Sequence, residues 1–419
     1  MALSRGNLRL LMLFSSLSCI LFLVPIGNAA DWLSWRGSNY DGIGEALNLP
    51  ASWNENEGIL WQRPLPGTGY SSPIVIGDQV VLTTSDGLDY TELYVVSLNA
   101  FSGELNWKTK FFGSKLPFLS QFAKELGTAV PSCVSDGQSI VAMFSTGEVC
   151  CLDLSGNPLW FRSLGVDYAP FTNDYGAASS PVIAADKVFV SVDQDGGSYV
   201  LALSLEDGKT IWKRDRPEIG DNWATPFVYR CPSTQKLCLI SSGSYMIECL
   251  DAQSGETLWT QSGAARLCAP TPFIYQDMLI STSGPGGQTL AVRLGEQSPE
   301  NRLVWKSPKG TGFLPSGIQV DGNYLHSGDR GILTVLSLEN GSEIAQKRIG
   351  GSYRASPVLA DGKIYFLSLE GTATVIESKT LEILGVSSMG EKVGASPAVA
   401  HDSLFIRGEK HLFRIGVKR

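Results

Sequence analysis

Leu250-Asp251-Ala252-Gln253-Ser254-Gly255-Glu256-Thr257-Leu258-Trp259 reads as the end of one strand, a tight turn and the start of another. Ser254-Gly255 supplies the turn chemistry between two apolar segments of strand period. The four-residue step from Gly255 to Trp259 recurs at Gly103 and Trp107, Gly156 and Trp160, and Gly208 and Trp212. Four identical steps in one chain mark an internal repeat.

Working outward, each copy opens with a small residue beside Pro, followed by an apolar stretch, an Asp or Gly turn and further apolar runs. The Pro marker returns at Pro73, Pro131, Pro181, Pro226, Pro272, Pro315, Pro357 and Pro397, at intervals of 40 to 58 residues. In the first unit the pattern predicts strands at 73–76, 80–84, 93–99 and 105–109. Four short strands per repeat of this length make a propeller blade, so the fold is expected to be an all-β, eight-bladed β-propeller. The last unit stops one strand short after His411 to Ile415, while the segment Gly58 to Gln62, with Trp61, precedes the first marker. An N-terminal strand around Trp61 is therefore expected to complete the eighth blade and close the ring. In the later units the Trp slot decays: Ala345 follows Gly341, and Leu384 follows Thr380.

The chain has 419 residues, 43% hydrophobic and 18% charged, which excludes a disordered or disulfide-dense class. Its 33 Lys and Arg against 41 Asp and Glu give a net charge of −8, so a nucleic-acid backbone is not an expected partner. Residues 1–30 read as a secretory signal peptide: Arg5 and Arg9, an apolar run from Leu10 to Val24, and small residues to Ala29 and Ala30. That run is shorter than the about 20 residues of a spanning helix. Cys19, preceded by Ser16, Leu17 and Ser18, lacks the setting of a lipidation site. The reading is a signal peptide at 1–30, an extension at 31–57 and a propeller at 58–419. It predicts export to the periplasm, cell envelope or outside, no integral membrane segment after cleavage, and a monomer. Of the seven remaining cysteines, Cys231 and Cys238 flank a turn where they could bridge a hairpin, or stay as buried thiols.

The repeats resemble the tryptophan-docking repeat of the pyrroloquinoline-quinone-like (PQQ-like) propellers, over about Trp61 to Gly416. The opening Asp31-Trp32-Leu33-Ser34-Trp35-Arg36-Gly37 resembles the start of exported propellers of the same superfamily. The resemblance implies docking roles for Trp61, Trp107, Trp160, Trp212, Trp259 and Trp305. The superfamily includes quinoprotein alcohol dehydrogenases and BamB-type outer-membrane assembly lipoproteins, so it implies no single function. The dehydrogenases hold PQQ beside calcium with a vicinal disulfide nearby. Cys150-Cys151 is the one match, but it sits mid-strand, where neighbours face opposite ways.

A first strand lines the channel of a propeller. Three residues before each Pro marker come Tyr70, Thr128, Ala178, Trp223, Ala269, Gly312, Arg354 and Gly394. Slightly farther out lie Glu125, Tyr175, Asp221, Arg266, Lys309, Tyr353 and Lys392, with the bases gathered on blades five to eight. The candidate ligand-binding mouth is therefore Tyr70, Tyr175, Asp221, Trp223, Arg266, Lys309, Tyr353, Arg354 and Lys392, with a cationic half. Long connections at 108–130, with Phe118, Phe122 and Leu126 at helical spacing, and at 161–180 are expected to frame it. No HxxxH or CxxC spacing and no Gly-x-Ser-x-Gly elbow is present, and no metal is expected. These features predict a non-enzymatic binding or scaffolding propeller with a protein or glycan partner and no cofactor. The alternatives are a PQQ-dependent dehydrogenase with calcium and a BamB-like factor in outer-membrane protein assembly.

Overall fold

The structure is a computed structural model that describes residues 31–418 apart from 117–120, 174, 232–233, 285, 296–297 and 310. The signal-peptide reading of 1–30, with Cys19, lies outside the described residues. Eight four-stranded antiparallel sheets form the blades of a propeller. Strand β1 (Ile59–Pro64) pairs with the terminal strand His411–Gly416, so the eighth blade is made from both ends of the ring, as its missing strand predicted. The first blade runs β2 (Ile74–Ile76), β3 (Gln79–Asp86), β4 (Glu92–Asn99) and β5 (Leu105–Phe112). Blades 2 to 7 repeat this order at 134–163, 182–215, 227–262, 273–307, 318–348 and 358–388.

The middle strands of each blade are buried on both faces, and successive side chains serve two different seams. Cys150 packs in the core between blades 1 and 2, whereas Cys151 packs in the core between blades 2 and 3. The seven described cysteines are buried, and no disulfide joins Cys150 to Cys151 or Cys231 to Cys238.

The four-residue Gly-to-Trp step has a physical cause across blades rather than within one. Trp107 donates its indole N–H to Leu154 O of blade 2 at 3.1 Å and lies against Gly156. Likewise Trp160 reaches Leu205 O over Gly208, Trp212 reaches Ala252 O over Gly255, and Trp305 reaches Leu338 O over Gly341. Trp61 on β1 closes the ring onto Ala100 O and Gly103. A Cβ on any of these five glycines would come within 2.5–2.8 Å of the indole, and all five have φ between +70° and +83°. The glycine is thus required twice, for the left-handed turn and for the close seat of the neighbour's Trp. Trp259 differs: a short helix, Pro299–Arg302, precedes the outer strand of blade 5, and the Arg302 guanidinium stands 4.9 Å from its ring centre.

Blades 6 and 7 offer no Trp to the next blade. In blade 6 the slot holds Ala345, as expected. In blade 7 the register places Gly385, not Leu384, in the slot opposite Val375. The one-residue correction arises because Leu381, with φ +60°, takes the left-handed turn position rather than Thr380. The room left at Gly385 is filled by Ala51 and Ser52. Beside them Trp53, 4% exposed, donates its amide to Ser387 Oγ at 2.7 Å and its indole N–H to Met389 Sδ at 3.4 Å.

Residues 31–57 form a strap across the face that carries the turns between first and second strands, here the lower face. Trp32 and Val75 of β2 exchange backbone hydrogen bonds at 2.9 Å, and the Ser135 amide of blade 2 donates to Leu33 O. Arg36, 2% exposed, donates to Tyr40 O, Asp41 O and, across the ring, Gly317 O of blade 6. The strap then meets Leu359 of blade 7 and places the Leu47 and Leu49 amides on the carboxylates of Asp402 and Asp361. Among the described residues no helix is long and apolar enough to cross a membrane.

Candidate functional site

Eight Ser or Thr residues, one at the start of each blade, form a closed ring of hydrogen bonds about the axis. The amide of Ser72 donates to Ser132 Oγ, Ser132 to Ser180, Ser180 to Thr225, and Thr225 to Thr271. Thr271 continues to Ser316, Ser316 to Ser356, Ser356 to Ser396, and Ser396 back to Ser72. Every step measures 2.8–3.2 Å, and all eight residues are buried. The ring satisfies, blade to blade, backbone donors that have no strand partner at the crowded axis.

This ring, not the proline, sets the register of the channel wall. The hydroxyl precedes Pro in six blades but follows Pro131 and Pro315 in blades 2 and 6. Two residues before the ring stand Tyr70, Val130, Ala178, Trp223, Ala269, Leu314, Arg354 and Gly394, and all eight line one cavity of about 330 Å³ on the upper side. Val130 and Leu314 therefore replace the expected Thr128 and Gly312, because the proline in those two blades is displaced by two residues.

Above this wall the rim is aromatic. Tyr175 meets Trp223 edge-on at 5.6 Å, and Trp223 meets Phe313 edge-on at 6.1 Å. The Trp223 indole N–H is held by Gly176 O at 3.2 Å, which fixes the arc to the 161–180 connection. From the other long connection, helix Gln121–Leu126 supplies Leu126 to the lining. Phe118 lies outside the described residues, as does the side chain of Phe122. Below the wall come the hydroxyls of Ser72, Ser132, Ser180, Thr225 and Ser396, and then Trp35, which the strap presents from beneath. The cavity is a cup, open above and closed by the strap below.

Among the described residues its lining holds no carboxylate, carboxamide or imidazole side chain, and the one charged side chain is Arg354. Glu125, on the helix outside the cup, pairs with Arg354 at 3.5 Å and with Lys392 at 3.3 Å, tying the first long connection to blades 7 and 8. The Arg354 guanidinium stands 5.8 Å from the Tyr70 ring centre. Burial, reinforced by Glu125, pushes the Tyr70 phenol up to about 12, and its hydroxyl has no hydrogen-bond partner among the described residues. Near Tyr70 lies Arg407, 1% exposed, which donates to Ser71 O, Ser71 Oγ and Thr83 O. Burial draws its pKa down to about 9.

Of the nine expected mouth residues, the structure brings Tyr70, Tyr175, Trp223 and Arg354 together in the cup. The other five stand elsewhere. Asp221 accepts the Asp195 amide at 3.0 Å, Arg266 pairs with Asp195 at 3.7 Å, and Lys309 reaches Glu343 on the outer strand of blade 6 at 3.4 Å. Lys392 stays with Glu125 outside the lining. Tyr353, 3% exposed, turns into the core between blades 6 and 7 against Phe366. The expected cationic half is thus locally compensated, because other parts of the ring bring acids to Arg266, Lys309, Arg354 and Lys392. The three histidines bind structural partners: His326 meets Pro315 O, His401 meets Gly77 O and His411 meets Glu391.

A family model described as outer membrane protein assembly factor BamB matches residues 49–197 and 196–416, nearly the whole described ring. The chain belongs to this BamB family. Curated BamB proteins of Shewanella oneidensis and Yersinia pestis are each 24% identical, over 245 and 233 residues, which is 57% and 54% of this chain. The chain spans about half the length of the curated relatives it matches, 54% and 52% of them. Among solved structures, BamB from Moraxella catarrhalis superposes with a TM-score of 0.63 at 14% identity, covering 86% of this chain and 98% of that one. Quinohemoprotein alcohol dehydrogenase from Comamonas testosteroni gives 0.70 at 9% identity, covering 93% and 81%. At these identities the solved structures show a shared fold.

The residues of this BamB-family cup do not fit a calcium-held quinone. Calcium takes six to eight oxygen ligands, typically with carboxylates among them, whereas none of the described lining residues is a carboxylate and Glu125 is engaged by two cations. The described residues contain no cluster of three or more His, Cys, Asp and Glu side chains placed to hold a metal. Cys150 and Cys151 face separate cores and so cannot supply the vicinal disulfide.

Proposed function

We propose that this protein is an envelope docking propeller of the BamB type, whose cup receives a segment of a protein partner in outer-membrane protein assembly. The observation that carries this reading is the cup itself: an aromatic-rimmed, largely apolar cavity, built by all eight blades and closed below by the chain's own strap. Aromatic residues that face solvent around an apolar hollow are the usual anchors of protein interfaces. Tyr175 is 41% exposed at the rim, ready to meet an incoming chain. The names of the relatives supply the assembly context, and the expected export supplies the compartment.

The test is site-specific photo-cross-linking in the cell envelope, with the cross-linking amino acid at Tyr175 on the rim and, as control, at the exposed Gln346 on the outer wall of blade 6. The expected result is one discrete adduct from position 175, mapped by mass spectrometry to one segment of one envelope protein, and none from 346. The same adducts from both positions, or none from 175, would overturn the reading.

A further inference from the structure

The cup is unequal in its hydrogen-bonding capacity. Each ring hydroxyl has one proton to donate and accepts a neighbouring amide. For Ser72, Ser132, Ser180, Thr225 and Ser396, which line the cup, no described group accepts that proton. Tyr70 adds a hydroxyl without a partner, and Arg354 adds a guanidinium. Against these donors the described lining sets no acidic or amide side chain. Two further cations stand close behind it, Arg407 beside Tyr70 and Arg36 beneath Trp35, 5.9 Å from that ring centre. Walls that set Trp35, Trp223, Tyr175 and Phe313 beside these donors ask for a ligand with an apolar body and an anionic, acceptor-bearing tip.

The closed lower side restricts how a chain can present such a group. Arg36 pins the strap across the ring by its bond to Gly317 O at 2.7 Å, so nothing threads through. At about 330 Å³ the cup lies at the low end of ligand cavities and admits one large side chain with its polar tip. A polypeptide must then enter by an end, and an N-terminal ammonium would meet the Arg354 guanidinium and the ring hydroxyls, while the Glu125 carboxylate is engaged outside the lining by Arg354 and Lys392. Resting on the docking role above, we propose that the cup captures the free C-terminal carboxylate of a partner polypeptide, with the last residue aromatic or large and aliphatic against Trp35, Trp223 and Tyr175. The carboxylate sits toward Arg354 and the hydroxyl ring, a charge-assisted arrangement of the kind used to read chain termini.

The experiment is a fluorescence-anisotropy titration of residues 31–419 with a dye-labelled hexapeptide, Gly-Ser-Gly-Ser-Gly-Phe. The free acid is compared with the C-terminal amide and, by competition, with N-acetylphenylalanine. The expected result is saturable binding of the free acid, at least tenfold weaker binding of the amide, and loss of that difference in Arg354→Gln. Equal affinity for acid and amide would overturn the carboxylate assignment while leaving a side-chain cup. N-acetylphenylalanine binding as tightly as the peptide would overturn the polypeptide source in favour of a small aromatic acid. No binding of any probe would overturn the inference, and the cross-linking at Tyr175 would still decide the docking role by itself.

Discussion

Apart from the seam at Trp259, where Arg302 stands over the indole, the seams between blades in this ring fall into two groups. Five seams use the same device: an indole from one blade donates to a turn carbonyl of the next and rests on a glycine there. The seams from blade 6 to 7 and from 7 to 8 lack the indole. At the first of them Ala345 packs near Leu381 and Lys347 donates to Leu381 O, while at the second the strap lays Ala51, Ser52 and Trp53 into the empty slot. Trp53 comes from outside the repeat, yet it restores a buried indole at the place where the repeat omits one. The difference teaches that the strap is part of the closure of the ring: it crosses the axis at Arg36 and ends by repairing the seam beside the strand that joins the two chain ends.

If the strap replaces a docking Trp, Trp53→Ala and Trp160→Ala should be equally damaging. Each is expected to lower stability by about 3–5 kcal/mol, the usual cost of deleting a buried Trp side chain. Urea titration followed by circular dichroism measures both. A loss under about 1 kcal/mol for Trp53→Ala beside a large loss for Trp160→Ala would show that the seventh seam needs no substitute. A finer comparison uses glycine. Gly156→Ala sets a Cβ 2.5 Å from Trp107 at φ +83°, whereas Gly362→Ala has φ +68° and nothing within 4 Å. Left-handed backbone alone costs about 1–2 kcal/mol, so Gly362→Ala should lose about that much. Gly156→Ala should lose about 1–3 kcal/mol more from overpacking. Equal losses would mean that the indole seat is loose.

The legible part of this molecule was the part written in repeated local chemistry. Turn glycines, strand alternation and the Pro marker disclosed eight blades and the closing strand, because each is a short-range requirement of a β-meander. The partner of each Trp was hidden, since a four-residue step inside one blade looks like a contact inside that blade, whereas the true seat is one repeat away. The cup was legible at Tyr70, Trp223 and Arg354, where proline keeps its place beside the ring hydroxyl. It was misplaced at Thr128 and Gly312, where proline moves to the other side. The recurring Ser or Thr was present in the sequence and carried the correct register, but a hydroxyl is a weaker eye-catcher than a proline. Trp35 belongs to the recognisable opening Asp31 to Gly37, yet nothing local says that this segment crosses the axis. Loop charges at Arg266 and Lys309 suggest a cationic half because their acidic partners, Asp195 and Glu343, come from distant parts of the sequence.

A smaller, pH-linked effect sits in one docked seam. Between blades 3 and 4, Arg216 donates from Nε to Glu248 at 2.5 Å and from Nη1 to Asp193 at 2.7 Å, all three side chains nearly fully buried. Two carboxylates share one guanidinium, and burial, aided by Glu248, raises the Asp193 pKa to about 6 despite the pull of Arg216. An unfolded Asp titrates near about 3.9. Between these values the folded chain holds a proton that the unfolded chain releases, so this contribution favours folding below about pH 4 and is lost as pH rises through about 6. The full swing is on the order of 2–3 kcal/mol by the linkage between pKa and stability. Asp193→Asn removes the titration. Many surface carboxylates titrate in the same range, so the useful quantity is the stability of the native chain minus that of Asp193→Asn, measured by urea titration from pH 4 to 7. That difference should fall as pH rises, with its steepest part at about pH 5, midway between the two pKa values. A difference that is flat, or that rises with pH, would mean that Arg216 keeps Asp193 ionised throughout and that the docked seam carries no proton-linked fastening of its own.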